Sequence, residues 1–376
     1  MKIEKIDLYH ITQSLVSPFT TSFGTELDRH CLILALYADG LVGWGECVAS
    51  TDPGYSYETT ETAWHVLTKF LIPSVLGKEL DEPEQVQGWM SQVRGHPMAK
   101  AAIDQAAWDI TAQRDGLSFA QKLALPYPEG PREQVSVGVS NGIQPSVADT
   151  LKVIEGRLKE GYRRIKLKIK PGHDLELARA ATAAFPDVAI MLDANSAYTL
   201  ETAVPIFQAM DDLNLLMIEQ PLAHYDILDH SLLHPQIKNP LCLDESIHSD
   251  HDTRLAITLN ACDIINIKPA RVGGFTNARK IHDLCREAGI AVWCGGMLET
   301  GVGRAAQLGL ASLPGFTLPG DISATERYYK RDITQNFTLN TENSTIDVPT
   351  GLGLGIEIDF TQLEEVTLRK ETFSNR

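Results

Sequence analysis

The chain has 376 residues, 43% of them hydrophobic and 22% charged, and a formal net charge of −16. That charge would repel phosphate backbones and weighs against nucleic acid as a partner, and no stretch approaches the ~18 uninterrupted apolar residues a membrane span requires. The length exceeds what one hydrophobic core usually reaches, so a barrel of about 200 to 250 residues with a smaller companion is expected. The opening MKIEKIDLYH is charged and alternating, without the basic stub and apolar run of a secretory signal, and the expected location is the cytoplasm. Six cysteines (Cys31, Cys47, Cys242, Cys262, Cys285, Cys294) form no CxxC pair; four sit in apolar runs and read as reduced, buried side chains.

Residues 2–13 alternate, and the alternating runs LILALYA and LVGWGEC meet at Asp39-Gly40, a dipeptide suited to the positive φ of a tight hairpin. The SPFTTSFGTELDRH stretch between them reads as a mobile loop with two aromatic tips. From about residue 56 to 123 the pattern is helical, and HPMAKAAIDQAAWDITAQRDG carries small residues at spacings that allow close approach. An α+β domain over 1–128 is expected. From Gln134 onward short β-branched runs alternate with helical stretches, ending at Ser140, Lys168, Asp193, Glu219, Asp244, Lys268 and Cys294, with spacings of 28, 25, 26, 25, 24 and 26 residues. A period this regular fits a closed parallel barrel over 129–325 better than an open sheet with a switch point. FTLPGDI (316–322) is the candidate eighth strand, and the segment 326–376 is expected to return to the first domain.

Strand C-terminal ends form the working face of such a barrel. Three consecutive ends, Asp193, Glu219 and Asp244, are acidic, and neighbouring carboxylates in one mouth repel without a cation. Oxygen ligands with no sulfur or imidazole among them indicate a hard ion, Mg²⁺ before Mn²⁺ or Ca²⁺; singly, each acid could instead cap the next helix. Lys166 and Lys168, two apart in RIKLKIKPG, share the inward face of strand 2. Mutual repulsion and desolvation are expected to lower the proton affinity of Lys168 toward that of a general base, with Lys166 helping to depress it. Lys268 ends strand 6, nearly across the barrel. The layout suits removal of a weakly acidic proton next to a carboxylate, with cations around the dianion that forms. Two lysines on opposite faces also allow inversion.

These residues resemble the enolase superfamily, in particular its muconate lactonizing enzyme subgroup. The likeness runs over essentially the whole chain and rests on HPMAKAAIDQAAWD, KLKIKPG, LDAN, IEQP, LDES, NIKPARVGG and GGMLETGVGRAA in that order. It implies an α/β fold: a modified TIM barrel, (β/α)7β, with an α+β capping domain built from the N-terminal part and the C-terminal tail. It further implies Asp193, Glu219 and Asp244 as ligands of Mg²⁺ (or Mn²⁺) and Lys168 and Lys268 as the acid/base pair. The mandelate racemase subgroup uses a histidine after strand 7, and AVWCGG has none.

Within the subgroup the sequence is most similar to the o-succinylbenzoate synthase family whose members also racemise N-succinylamino acids, through PFTTSFG, GWGECVA, SVGVSNGI, KPARVGG and GGMLETG. That likeness implies a lyase of menaquinone synthesis with a second, racemase, activity. Ser140, Asn195, Gly296, Met297 and Leu298 would line the substrate, Phe19 and Phe23 would close over its succinyl arm, and Arg271 matches the arginine of the racemase-capable branch. A surface charge is the plainer reading of Arg271. The expected partners are a small carboxylate substrate and further copies of the chain in a homo-oligomer. Other readings remain: muconate-like lactones or dipeptides as substrates, although dipeptide epimerases are expected to show Asp-x-Asp where this chain has Met297-Leu298-Glu299; a Schiff-base aldolase using Lys168; and a non-catalytic barrel that only binds.

Overall fold

The computed structural model describes residues 1–21 and 24–374. Strands β1 (Lys5–Thr20), β2 (Thr25–Ala38) and β3 (Leu41–Cys47) open the chain as an antiparallel meander. Asp39 and Gly40 take φ of 49° and 77° between β2 and β3, the handedness that a two-residue hairpin turn needs to match strand twist. The expected loop over 17–30 is corrected: β1 and β2 run on through it, pairing Phe19 with Glu26 and Thr20 with Thr25 beyond a register break between Ser14 and Phe19. Pro18, which has no N–H to give a ladder, lies inside that break. The result is a hairpin that projects from the sheet.

The 18-residue helix Pro97–Arg114 packs its small residues on β3, a strand rather than another helix. Gly43 and Gly45 make this contact: a Cβ at Gly45 would stand 1.8 Å from the Ala102 carbonyl oxygen, and one at Gly43 2.2 Å from that of Ala106. The GWG of the strand and the alanines of the helix are two halves of one close approach.

After β4 (Gln134–Ser136), seven parallel strands form one curled sheet in sequence order: β5 (Val139–Asn141), β6 (Arg164–Lys168), β7 (Ala189–Asp193), β8 (Ile218–Glu219), β9 (Leu241–Leu243), β10 (Ile264–Ile267) and β11 (Ala291–Cys294). An eighth strand at 316–322 is corrected to two parallel bridges, Phe316 with Val292 and Gly320 with Val137. Pro319 cannot donate, so this stretch closes the seam between β11 and the entry to β5 with isolated bonds such as Gly320 N to Ser136 O at 3.0 Å. Beyond it, β12 (Thr345–Asp347) pairs with β4, and β13 (Thr367–Ser374) lies antiparallel on β1 as the edge of the first sheet.

Inside the barrel Trp293 is fully buried with Met191, Met217 and Cys242. It forms a floor beneath the cationic side chains of β6. All six cysteines are free and buried. Among the described residues no helix is long and apolar enough to cross a membrane.

Candidate active site

Parallel pairing sets the acids and lysines side by side. Lys168 lies in register with Asp193, and Asp193 with Glu219, while Asp244 and Lys268 follow directly on the ends of β9 and β10. Asp193, Glu219 and Asp244 are wholly buried. Lys166 Nζ reaches Asp193, Glu219 and Asp321 at 2.9, 2.7 and 2.9 Å and sits 4.9 Å from the centre of the Trp293 ring. Lys168 Nζ donates to Asp193 Oδ2 at 2.6 Å and Asn195 Oδ1 at 2.7 Å. Across the barrel Lys268 Nζ donates to Asp244 Oδ2 at 2.7 Å and to the Tyr55 hydroxyl at 3.0 Å.

In this arrangement Lys166 is the hub of three carboxylates. Burial works against its charge, yet Asp193, Asp321 and Glu219 hold its proton affinity well above the ordinary lysine range. Lys268 is likewise raised, Asp244 outweighing burial. Burial would push the Asp193 carboxyl up, but Lys166 and Lys168 hold it well below the usual range. Glu219 has no such surplus of cations: burial and then the Asp193 charge push it up to about 8.

Whether a divalent cation suits this site is decided by the donors. Among the described residues no three acidic, histidine or cysteine side chains stand at coordination distance from a common point, because ammonium groups are inserted between the carboxylates. The donor set is nevertheless all oxygen and fully buried, and Glu219 Oε2, although Lys166 Nζ stands 2.7 Å away, makes no well-directed hydrogen bond. Those are the properties of a hard-cation site.

A pocket of about 850 Å³, including its open mouth, lies above the lysines. Lys166, Lys168, Lys268, Ser140, Asn195, Gly296, Met297, Leu298 and Phe19 all stand at its wall. Phe23 falls outside the described residues. Phe19 comes from the projecting hairpin and meets Tyr328 edge-on, with ring centres 6.4 Å apart. Asn195, at φ 43°, turns so that one side chain serves two groups: Oδ1 accepts from Lys168 and Nδ2 donates to Glu245 at 2.8 Å. Gly295 leaves room for Lys268, whose Cε would be 2.7 Å from a Cβ there.

The plainer reading of Arg271, a surface charge, is corrected. The residue is 3% exposed, hence no surface charge, and it stands behind Asp244 rather than at the wall of this pocket. Its guanidinium ties together Asp244, the Ile247 carbonyl and the Asn266 carbonyl. The sequence reading missed Tyr55, Asp321, Arg29 and Tyr328, which also reach the pocket.

The loop after Glu219 carries a pH-sensitive fastening. His230 is fully buried and its Nε2 accepts from Leu222 N at 3.2 Å, so the ring must be neutral; burial lowers it to about 4. The unfolded chain takes up this proton below ~6.5 and the native protein only near 4. Stability is therefore expected to fall by about 3 kcal/mol between those limits, read as a drop in the urea midpoint from pH 7 to pH 4.5. A His230→Gln variant should show a visibly shallower dependence, and an identical slope would clear His230 of the effect.

A barrel with acids on three adjacent strand ends, lysines on either side and an α+β cap above defines the class, and comparison agrees. Residues 149–362 match the "Enolase C-terminal domain-like" family and residues 5–123 the "Mandelate racemase / muconate lactonizing enzyme, N-terminal domain" family, so the chain belongs to the enolase superfamily. It is 48% identical over 368 residues to an o-succinylbenzoate synthase of Geobacillus kaustophilus, covering 98% of this chain and 96% of that one. It is 46% identical over 371 residues to an N-succinylamino acid racemase of Amycolatopsis sp, covering 98% and 99%. Among solved structures, an enolase superfamily member from Listeria innocua superposes with a TM-score of 0.93 at 38% identity, covering 99% of both chains.

Proposed function

We propose that this enzyme dehydrates 2-succinyl-6-hydroxy-2,4-cyclohexadiene-1-carboxylate to 2-succinylbenzoate, a step of menaquinone synthesis, and racemises N-succinylamino acids at the same site. The observation that carries the reading is the pair of buried lysine side chains, Lys168 and Lys268, on opposite sides of three buried carboxylates at the foot of one pocket. Both reactions begin by removing a proton next to a carboxylate, and one pair of lysines serves both. The racemase half is supported by relatives of that name at 46% and 45% identity, in Amycolatopsis sp and Thermus thermophilus.

Asp193, Glu219 and Asp244 would hold Mg²⁺, which when bound supplies charge stabilisation to the substrate carboxylate as it becomes an enediolate. Lys168, as the neutral amine, takes the α-proton and then, as an ammonium, returns a proton to the departing hydroxide, which leaves as water on the same face. Lys268 stays protonated against the enediolate. In racemisation Lys268 instead delivers a proton to the opposite face. Asn195 holds Lys168 in place, and Phe19 with Tyr328 supplies an aromatic wall to the pocket.

The test measures loss of the diene absorbance and, separately, racemisation of an N-succinylamino acid, each with Mg²⁺ and after chelation. Both activities are expected in one protein, both lost to the chelator and both restored by Mg²⁺. A Mg²⁺-loaded protein inert toward the cyclohexadiene substrate would sink the reading.

A further inference from the structure

The cap contributes one side chain to the reacting end of the barrel that the chemistry above does not use. Tyr55 lies between β3 and the helix Thr60–Val66, in a segment tied down on both sides. The Ser50 carbonyl accepts from Thr60 N at 2.8 Å, and its hydroxyl accepts from Arg29 at 2.8 Å. Glu58 accepts from Met98 N and Ala99 N at 2.8 and 3.1 Å, at the start of the helix Pro97–Arg114. Held between these anchors, the Tyr55 hydroxyl accepts from Lys268 Nζ at 3.0 Å, and its ring centre lies 4.7 Å from the same nitrogen.

A lysine stem has four rotatable bonds, and an ammonium held by one carboxylate alone can still swing about it. Tyr55 adds a second direction of restraint and a cation–π contact, both from the cap. Lys168 is held differently, by Asp193 and Asn195, which belong to the barrel itself. The two sides of the reacting carbon are therefore supported by different parts of the protein.

We propose that Tyr55 is a positioning residue for the Lys268 face of the reaction, so that the seating of the cap on the barrel governs proton transfer on one face of the substrate more than on the other. The inference rests on the two-lysine reading above.

The test follows exchange of the α-hydrogen in deuterated water by NMR, with each enantiomer of an N-succinylamino acid and Mg²⁺ present. Lys268→Ala identifies the enantiomer whose α-hydrogen faces Lys268, as the one whose exchange is lost. For that enantiomer Tyr55→Phe is expected to slow exchange about 10-fold, the scale of one hydrogen bond to a charged group, and Tyr55→Leu to slow it further by removing the ring. Exchange of the opposite enantiomer should fall by a clearly smaller factor. Equal slowing of both enantiomers, or of neither, would assign Tyr55 to packing alone and overturn the proposal while the two-lysine reading stands. A wild-type protein that exchanges neither enantiomer would overturn both.

Discussion

Lys168→Ala is expected to lower dehydration about 10³-fold, within the range for removing a positioned general base, and to abolish α-proton exchange on one face of an N-succinylamino acid. The loss should be chemical rather than structural. Asp193 keeps Lys166 at 2.9 Å when Lys168 is gone, so the buried carboxylate retains a countercharge and the melting temperature should change little. Lys268→Ala removes a charge rather than the base from dehydration; about 10²-fold is the expected cost there, while racemisation is lost with either lysine. The order of the two variants in dehydration is therefore the diagnostic, measured as kcat/KM with Mg²⁺ present. If Lys268→Ala proved the more damaging, the base would have been assigned to the wrong strand.

The features legible in the sequence were those that repeat or alternate locally. The spacing near 25 residues marked the strand ends, a two-residue step put Lys166 and Lys168 on one face, and Asp39-Gly40 marked a hairpin found where expected. Illegible were the partners of those charges. Arg164 and Asp321 meet across 157 positions, and Lys268 and Tyr55 across 213, distances over which no local period carries information. Lys166 is an example: its neighbour Lys168 is visible in the string, whereas its partners Glu219 and Asp321 arrive only through closure of the barrel. The hairpin at residues 17–30 was misread for a different reason. Its Ser, Thr and Gly content suggests a loop, and only pairing with a partner strand turns such residues into a ladder.

Asp321 shows what that closure is worth. In the sequence it is one polar residue of a would-be strand; in the fold its carboxylate bridges Arg164 at 2.6 Å and Lys166 at 2.9 Å, with all three side chains buried where the seam between β11 and β5 closes. Burial would raise the carboxyl, but Lys166 and Arg164 hold it well below the usual range. Asp321→Asn keeps the shape and removes the charge, leaving buried Arg164 without its carboxylate while Lys166 keeps Asp193 and Glu219. A cost of about 3 to 5 kcal/mol is expected, lowering the melting temperature by roughly 4 to 6 °C in a protein of this size. The mechanism has its own control. Arg164→Met should also destabilise by leaving Asp321 with one partner, but Arg164→Met with Asp321→Asn should cost less than the two single changes added, because the second removes a charge the first has stranded. Strict additivity in a double-mutant cycle would mean that the ion pair does not hold the seam, and that Gly320 and Phe316 close the barrel through their backbone bridges alone.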